Sequence, residues 1–223
     1  MTTRRPASAP PRVLLTGFEP FGGETVNPSW EAVRALRGRR IGGHRIEVAR
    51  LPTAFGDALT TLDAALAATR PRRVIAVGQA GGRERLSLER IAINVDDARI
   101  PDNRGRQPID QPVIAGAPAA YFSTLPIKAA LAALTAAGIP AEISQSAGTY
   151  VCNHVFYGLM HALAQRRGAR GGFVHIPFLP AQAAAHRGAP SMTLEMVIAA
   201  LRLIIAVSLH TGDDARIAAG ATH

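Results

Sequence analysis

The run RVLLTG, Arg12 to Gly17, is a short apolar stretch closed by glycine, and RVIAVG, Arg73 to Gly78, repeats the pattern further along. Each reads as a buried strand that runs into a loop. Between the two, Asn27 can cap a helix with Pro28 at its first position. Trp30, Val33, Ala35 and Leu36 give that helix an apolar side, and Gly38 stops it. His44 to Leu51 alternates as a half-buried strand, and Phe55 to Ala68 follows as a second amphipathic helix. Beyond the Gly-rich loop Gly78 to Gly82, Leu86 to Arg99 has the β-rich pattern of an extended excursion. Ile100 to Pro118, full of Pro, Asp, Asn and Gly, must be mostly loop. The alternation then resumes. A helix over Leu125 to Ala137, a short strand Ala141 to Ser144, a helix from Val151 to Arg166, a strand Gly172 to Ile176 and a last helix Met192 to Leu209 complete the order. Strands alternating with helices predict an α/β fold. Its sheet is largely parallel, covered on both faces, and binds ligands at the carboxyl ends of the strands. One domain over residues 1–223 is expected, with flexible tails at 1–11 and 212–223.

A chain of 223 residues that is 48% hydrophobic can bury a full core, which excludes disorder as a global description. Its single cysteine cannot form an intramolecular disulfide, and Met1 to Pro11 has no apolar core of a signal peptide, so the cytoplasm is the expected compartment. The longest apolar run, Met196 to Leu209, is interrupted by Arg202 and Ser208, so no membrane span is expected. The formal charge of +9 raises nucleic acid as a partner. Against it, the arginines fall singly or in short clusters (Arg37 to Arg40, Arg70 to Arg73, Arg166 to Arg170) without interleaved aromatics, and Lys128 is the only lysine. No nucleic-acid partner is expected.

Cys152 follows a small-residue turn, Ser146 to Thr149, and opens an apolar stretch with helical spacing: Val155, Phe156, Leu159, Met160 and Leu163. Unpaired N–H groups in a first helical turn stabilise negative charge, so a cysteine there is biased toward the nucleophilic thiolate. A lone cysteine also reads as a small buried hydrophobe. His175 closes a buried strand, where an imidazole can take a thiol proton. His154, two residues along the helix from Cys152, points to a different side. A carboxylate in apolar sequence needs a partner once buried. Glu89 is the leading candidate to orient the imidazole, with Glu19, Asp96 and Asp97 as rivals on pattern alone.

Four separated segments decide among these. Thr16-Gly17-Phe18-Glu19-Pro20-Phe21-Gly22-Gly23 with Asn27-Pro28, and Gly78 to Arg83 followed by Leu88 to Asn94 and Asp97 to Asn103, are two of them. Ser146 to Asn153 and Phe173 to Pro177 are the others. In order and spacing they resemble the pyroglutamyl peptidase I family of cysteine peptidases, over roughly Arg12 to Leu209. The resemblance implies a three-layer α/β/α sandwich with a twisted, mixed but largely parallel sheet. It implies a catalytic set of Cys152 as nucleophile, His175 as base and acid, and Glu89 as the group that orients the imidazole. Arg99 is then expected to support the oxyanion, and Phe18, Phe21, Gln79 and Tyr150 to line the substrate site, with Asn27 bracing the loop. The implied reaction is hydrolysis of the amide after an N-terminal pyroglutamyl residue through a thioester. The resemblance also implies a homotetramer, peptide substrates, and no metal or organic cofactor.

Overall fold

The computed structural model describes residues 10–220. Strand β1 (Arg12–Phe18) is followed by helix α1 (Pro28–Ala35), the short β2 (Arg40–Ile41), β3 (His44–Leu51), α2 (Asp57–Thr69) and β4 (Arg73–Gln79). The chain continues through β5 (Leu86–Glu89), β6 (Ile91–Ile93), β7 (Ala120–Phe122), α3 (Ile127–Ala136) and β8 (Ala141–Ser144). Helix α4 (Val151–Ala164), β9 (Arg170–Ile176), the single turn α5 (Pro180–Ala183) and α6 (Leu194–His210) complete it. Seven strands form one sheet in the order β2-β3-β1-β4-β9-β5-β8, and β6 pairs with β7 in a separate hairpin. Pairings β1·β3, β1·β4, β4·β9 and β5·β8 are parallel, while β2·β3 and β5·β9 are antiparallel. The sheet is therefore mixed and mostly parallel, as the resemblance implies.

Alternation along each strand divides the core into two layers. Val13, Leu15, Ile75, Val77, Leu86, Leu88, Val174 and Ile176 pack under α1, α3 and α6. Leu14, Val74, Ala76 and Phe173 face α2 and α4 with Leu62, Leu66, Val155, Phe156 and Leu159. Side chains of a strand point alternately to opposite faces, so both layers are filled from the same strands. This is the three-layer sandwich.

Three segments differ from expectation. Leu86 to Arg99 does not stay outside the sheet, because its first part is β5, buried along its whole length between β9 and β8. Its alternation explains the difference. Leu86 and Leu88 belong to one core layer, which turns Ser87 and Glu89 to the face covered by α4. The hairpin partner β7 sits just after the expected loop, and its three residues are too few to carry a period. Third, of the tail expected over 212–223, residues 212–220 are described and make specific contacts, while 221–223, like 1–9, lie outside the described residues. Asp214 accepts from the backbone N–H groups of Lys128 and Ala129 at the start of α3, and Arg90 donates to the Ala219 carbonyl at 3.1 Å. No helix of the described residues is long and apolar enough to cross a membrane.

Candidate active site

The carboxyl ends of β4 and β9 lie side by side, with Gly78 opposite His175 in register. On the other side of β9, Ser87 is opposite His175 and carries β5 toward Glu89. Phe173 belongs to the α4 layer, so His175, two residues on, shares that face, and so does Glu89, two residues beyond Ser87. Helix α4 begins above this point, with Cys152 its second residue. The sulfur approaches the sheet because residue 78 is glycine. A Cβ there would lie 2.7 Å from the Phe173 ring and 2.9 Å from Cys152 Sγ. The turn leading into α4 likewise depends on glycine, since Gly148 holds φ at +78°.

Glu89 is fully buried. Its Oε1 accepts from His175 Nδ1 at 2.8 Å and from Arg83 Nη1 at 2.7 Å, while Oε2 has no partner. With the Nδ1 proton donated to a carboxylate, the neutral imidazole keeps its lone pair on Nε2. That nitrogen has no hydrogen-bond partner among the described residues. Arg83 also donates to the Ser146 carbonyl at 3.2 Å, which ties the carboxylate to the turn before Cys152. Arg83 closes the Gly78 to Arg83 segment, to which the resemblance assigns no role at that residue. An arginine six residues from a buried glutamate was the available signal.

Burial pushes the Cys152 thiol up to about 12, the Glu89 charge adds to the effect and the Arg83 charge opposes it. Burial also lowers the His175 pKa below the usual imidazole value, outweighing the hydrogen bond to Glu89. The resting site at neutral pH holds a thiol and a neutral imidazole. Burial thus opposes, in the unliganded protein, the thiolate bias expected from the helix start. The helix start remains in place: the first bond within α4 runs from the His154 N–H to the Tyr150 carbonyl, so the Cys152 N–H has no partner inside the helix.

Aromatic rings border the site. Phe18 is buried at the end of β1 with its ring 6.3 Å from that of Phe173. Phe21 and Tyr150 are 6.3 Å apart, and Phe55 meets Tyr150 edge-on at 5.5 Å. Phe55, which the sequence places at the head of a helix pattern, is not among the expected lining residues. The Tyr150 hydroxyl donates to the Pro101 carbonyl at 3.1 Å. Gln79 Oε1 accepts from Gln182 Nε2 at 3.3 Å, and the same Gln182 nitrogen reaches Glu24 at 3.0 Å. The structure thus anchors one end of Gln79 through α5. Asn27 caps α1 and braces the loop together: Oδ1 accepts from the Ser29 N–H and hydroxyl, Nδ2 donates to the Glu19 carbonyl at 3.0 Å, and the Ser29 hydroxyl accepts from the Phe18 N–H at 2.9 Å.

Glu19, Asp96 and His154 are engaged with other partners. Glu19 Oε1 accepts from the Thr53 N–H and from Asn103. Asp96 pairs with His154 at 2.7 Å, and the Gly56 N–H donates to His154 Nε2 at 2.9 Å, so both nitrogens of that ring are occupied. Arg99 is exposed on the bend after Ala98 and forms no ion pair among the described residues. The carboxylates nearby have other partners, as Asp102 accepts from the backbone of Phe55, Arg104 and Arg106. No group of His, Cys, Asp and Glu suited to a metal ion occurs among the described residues.

A thiol at a helix start, an imidazole on the adjoining strand end and a buried carboxylate on the next strand, all at one edge of an α/β/α sandwich, define a cysteine-type hydrolase. A family model described as pyroglutamyl peptidase matches residues 11–211, and the chain belongs to this family. It is 62% identical over 212 residues to the pyrrolidone-carboxylate peptidase of Erwinia tasmaniensis, covering 95% of this chain and 99% of that one. It is 61% identical over 214 residues to pyrrolidone-carboxylate peptidase 1 of Ralstonia nicotianae, with 96% and 100% covered. Among solved structures, pyroglutamyl peptidase I from Bacillus amyloliquefaciens superposes with a TM-score of 0.90 at 46% identity, covering 93% of this chain and 99% of that one.

Proposed function

We propose that this protein is a cysteine peptidase that releases pyroglutamate from the N-terminus of peptides by way of a thioester. The Glu89–His175 pair beside the start of α4 is the observation that carries this reading, with family membership behind it. His175 Nε2 takes the Cys152 proton as sulfur attacks the pyroglutamyl carbonyl, so charge is created only as the new bond forms. The resulting imidazolium sits against Glu89 and then protonates the leaving amine. Water enters, gives its proton to the same nitrogen and opens the thioester, which frees pyroglutamate and restores the thiol. Negative charge on the carbonyl oxygen needs fixed donors. The Cys152 N–H supplies one, and Arg99 is assigned a supporting part by family resemblance.

The pyroglutamyl ring is a flat, neutral lactam. Phe18, Phe21 and Tyr150 offer apolar walls, and the Gln79 amide, with its oxygen engaged by Gln182, has an NH2 group to give to the lactam carbonyl. N-terminal proline lacks that carbonyl and carries a charged amine, which leaves the polar groups unmatched and adds a cost for the buried charge. Family resemblance further supports a homotetramer that needs no cofactor, and the lone cysteine supports a cytoplasmic location.

The test compares release of a chromogenic amine from pyroglutamyl, prolyl and glutaminyl amides by the native chain and by Cys152→Ser. The native chain should cleave the pyroglutamyl amide with a kcat/KM at least about 10³-fold above the other two, and the variant should lose nearly all turnover while keeping its circular dichroism. Full activity in Cys152→Ser would end the mechanism, and equal cleavage of the prolyl amide would end the assigned specificity.

A further inference from the structure

The edge of the sheet opposite the catalytic one gathers arginines that lie apart in sequence. Parallel pairing of β4 with β9 sets Arg73 beside Arg170 in register and so brings the clusters Arg70 to Arg73 and Arg166 to Arg170 together. Arg12, at the start of β1, adds another. Clusters far apart in the sequence thus become one basic edge.

Part of that charge has a structural reason. Helices α2 and α6 end here, and their last carbonyls carry negative partial charge. Arg12 donates to Ala68 O at 3.3 Å and Arg166 to Leu66 O at 3.2 Å, both at the end of α2. Arg73 donates to Ser208 O at 2.6 Å in the last turn of α6, and Arg170 to the Thr211 carbonyl beyond it. A helix terminus is worth about half a charge, so α2, α4 and α6 together offset roughly one and a half of the seven positive charges. Arg70, Arg72 and Arg167 donate no side-chain hydrogen bond among the described residues. The ion pairs between arginine and carboxylate found there use Arg34, Arg45, Arg83, Arg104 and Arg106 instead. Residues 1–9 contain Arg4 and Arg5 and no Asp or Glu. Burial lowers the Arg73 pKa, and the charges of Arg170 and Arg72 add to the effect.

Between these groups lies a cavity of about 600 Å³ lined by Arg70, Pro71, Arg72, Arg166, Arg167 and Gly168. Guanidinium forks match phosphoryl oxygens two at a time. Several forks around one opening suit a compact row of phosphoryl groups better than one carboxylate, and small residues between them offer a peptide little to grip. We propose that this cavity is a binding site for a linear triphosphate, present either as inorganic tripolyphosphate or as the tail of a nucleoside triphosphate. The occupant would leave the opposite, catalytic edge free.

Calorimetric titration of the full chain with sodium tripolyphosphate, ATP and AMP at matched ionic strength tests the site. Tripolyphosphate should bind saturably, the affinity should fall as salt rises, and AMP should bind at least tenfold more weakly. ATP equal to tripolyphosphate identifies the triphosphate tail as sufficient, and tripolyphosphate alone identifies the inorganic ligand; either supports the site. Arg72→Ala/Arg167→Ala should lose at least tenfold in affinity with unchanged hydrolysis of the pyroglutamyl amide. Arg39→Ala/Arg40→Ala, with the same change in net charge elsewhere, should bind as the native chain does. Absence of saturable binding, equal losses in the two double variants, or tighter binding of a poly-glutamate peptide would overturn the proposal.

Discussion

Two histidine–carboxylate pairs flank Cys152, and their chemistry differs because of one nitrogen. His175 gives its Nδ1 proton to Glu89 at 2.8 Å, and His154 gives the same proton to Asp96 at 2.7 Å. Both pairs are buried. At His154 the second nitrogen accepts from the Gly56 N–H, so the ring is used up in joining α4 to the loop before α2 and to the segment around Asp96. At His175 the second nitrogen is left over. A histidine–carboxylate pair is thus a base only where the fold leaves Nε2 unspent, and proximity in sequence to the thiol carries no weight.

The largest expected effects separate the two pairs in opposite directions. His175→Ala should lower kcat by about 10³-fold, because proton transfer to and from sulfur and the leaving amine is lost; Glu89 keeps its pair with Arg83, so the stability loss should be smaller than at His154. His154→Ala should keep kcat within about tenfold of the native value. It strands the Asp96 carboxylate in the interior, and breaking a buried pair costs about 3–5 kcal/mol. Steady-state assays and urea titrations on both variants check this, and the reverse pattern would exchange their roles.

Arg83 sharpens the contrast, since the Glu89 pair has a cation and the Asp96 pair has none among the described residues. Its charge holds the His175 pKa down and opposes the rise at Cys152. His175 must be neutral to accept the thiol proton, so a lowered pKa places the acid limb of the kcat/KM profile below pH ~6.5, the ordinary imidazole value. Arg83→Met should move that limb upward and reduce kcat/KM about tenfold, the loss of a charge-assisted hydrogen bond. Arg83→Lys should restore part of both. A pH profile of each variant decides, and an unmoved limb would confine Arg83 to holding the turn at Ser146.

The order of strands and helices was legible because RVLLTG, RVIAVG and the helical runs behind Asn27 and Cys152 each carry a period long enough to read. Strand β5 was not, since four residues of alternation beside a polar loop look the same inside a sheet and outside it. At the site, Cys152 and His175 could be named, and Glu89 led Glu19, Asp96 and Asp97 without excluding them until the resemblance decided. Their separation depends on β5 running antiparallel to β9, which no local pattern encodes. The burial that opposes the helix-start bias at the thiol was hidden for a related reason. A helix start is visible in sequence, whereas the closeness of Gly78 and Phe173 that dries the sulfur is a tertiary fact.

The smallest expected effect concerns Tyr150, where ring and hydroxyl can be told apart. The ring meets Phe21 and Phe55, while the hydroxyl is spent on the Pro101 carbonyl, and burial together with the Asp102 charge pushes its pKa up to about 12. A neutral hydroxyl bound to a loop carbonyl positions that loop and has no proton to give the substrate. Tyr150→Phe keeps the aromatic wall and removes one exposed hydrogen bond worth about 1 kcal/mol, so KM for a pyroglutamyl amide should rise by no more than about fivefold with kcat unchanged. A tenfold fall in kcat would mean that the hydroxyl leaves Pro101 for the reacting carbonyl. That outcome would give the site a donor on the Cys152 helix in addition to the backbone N–H.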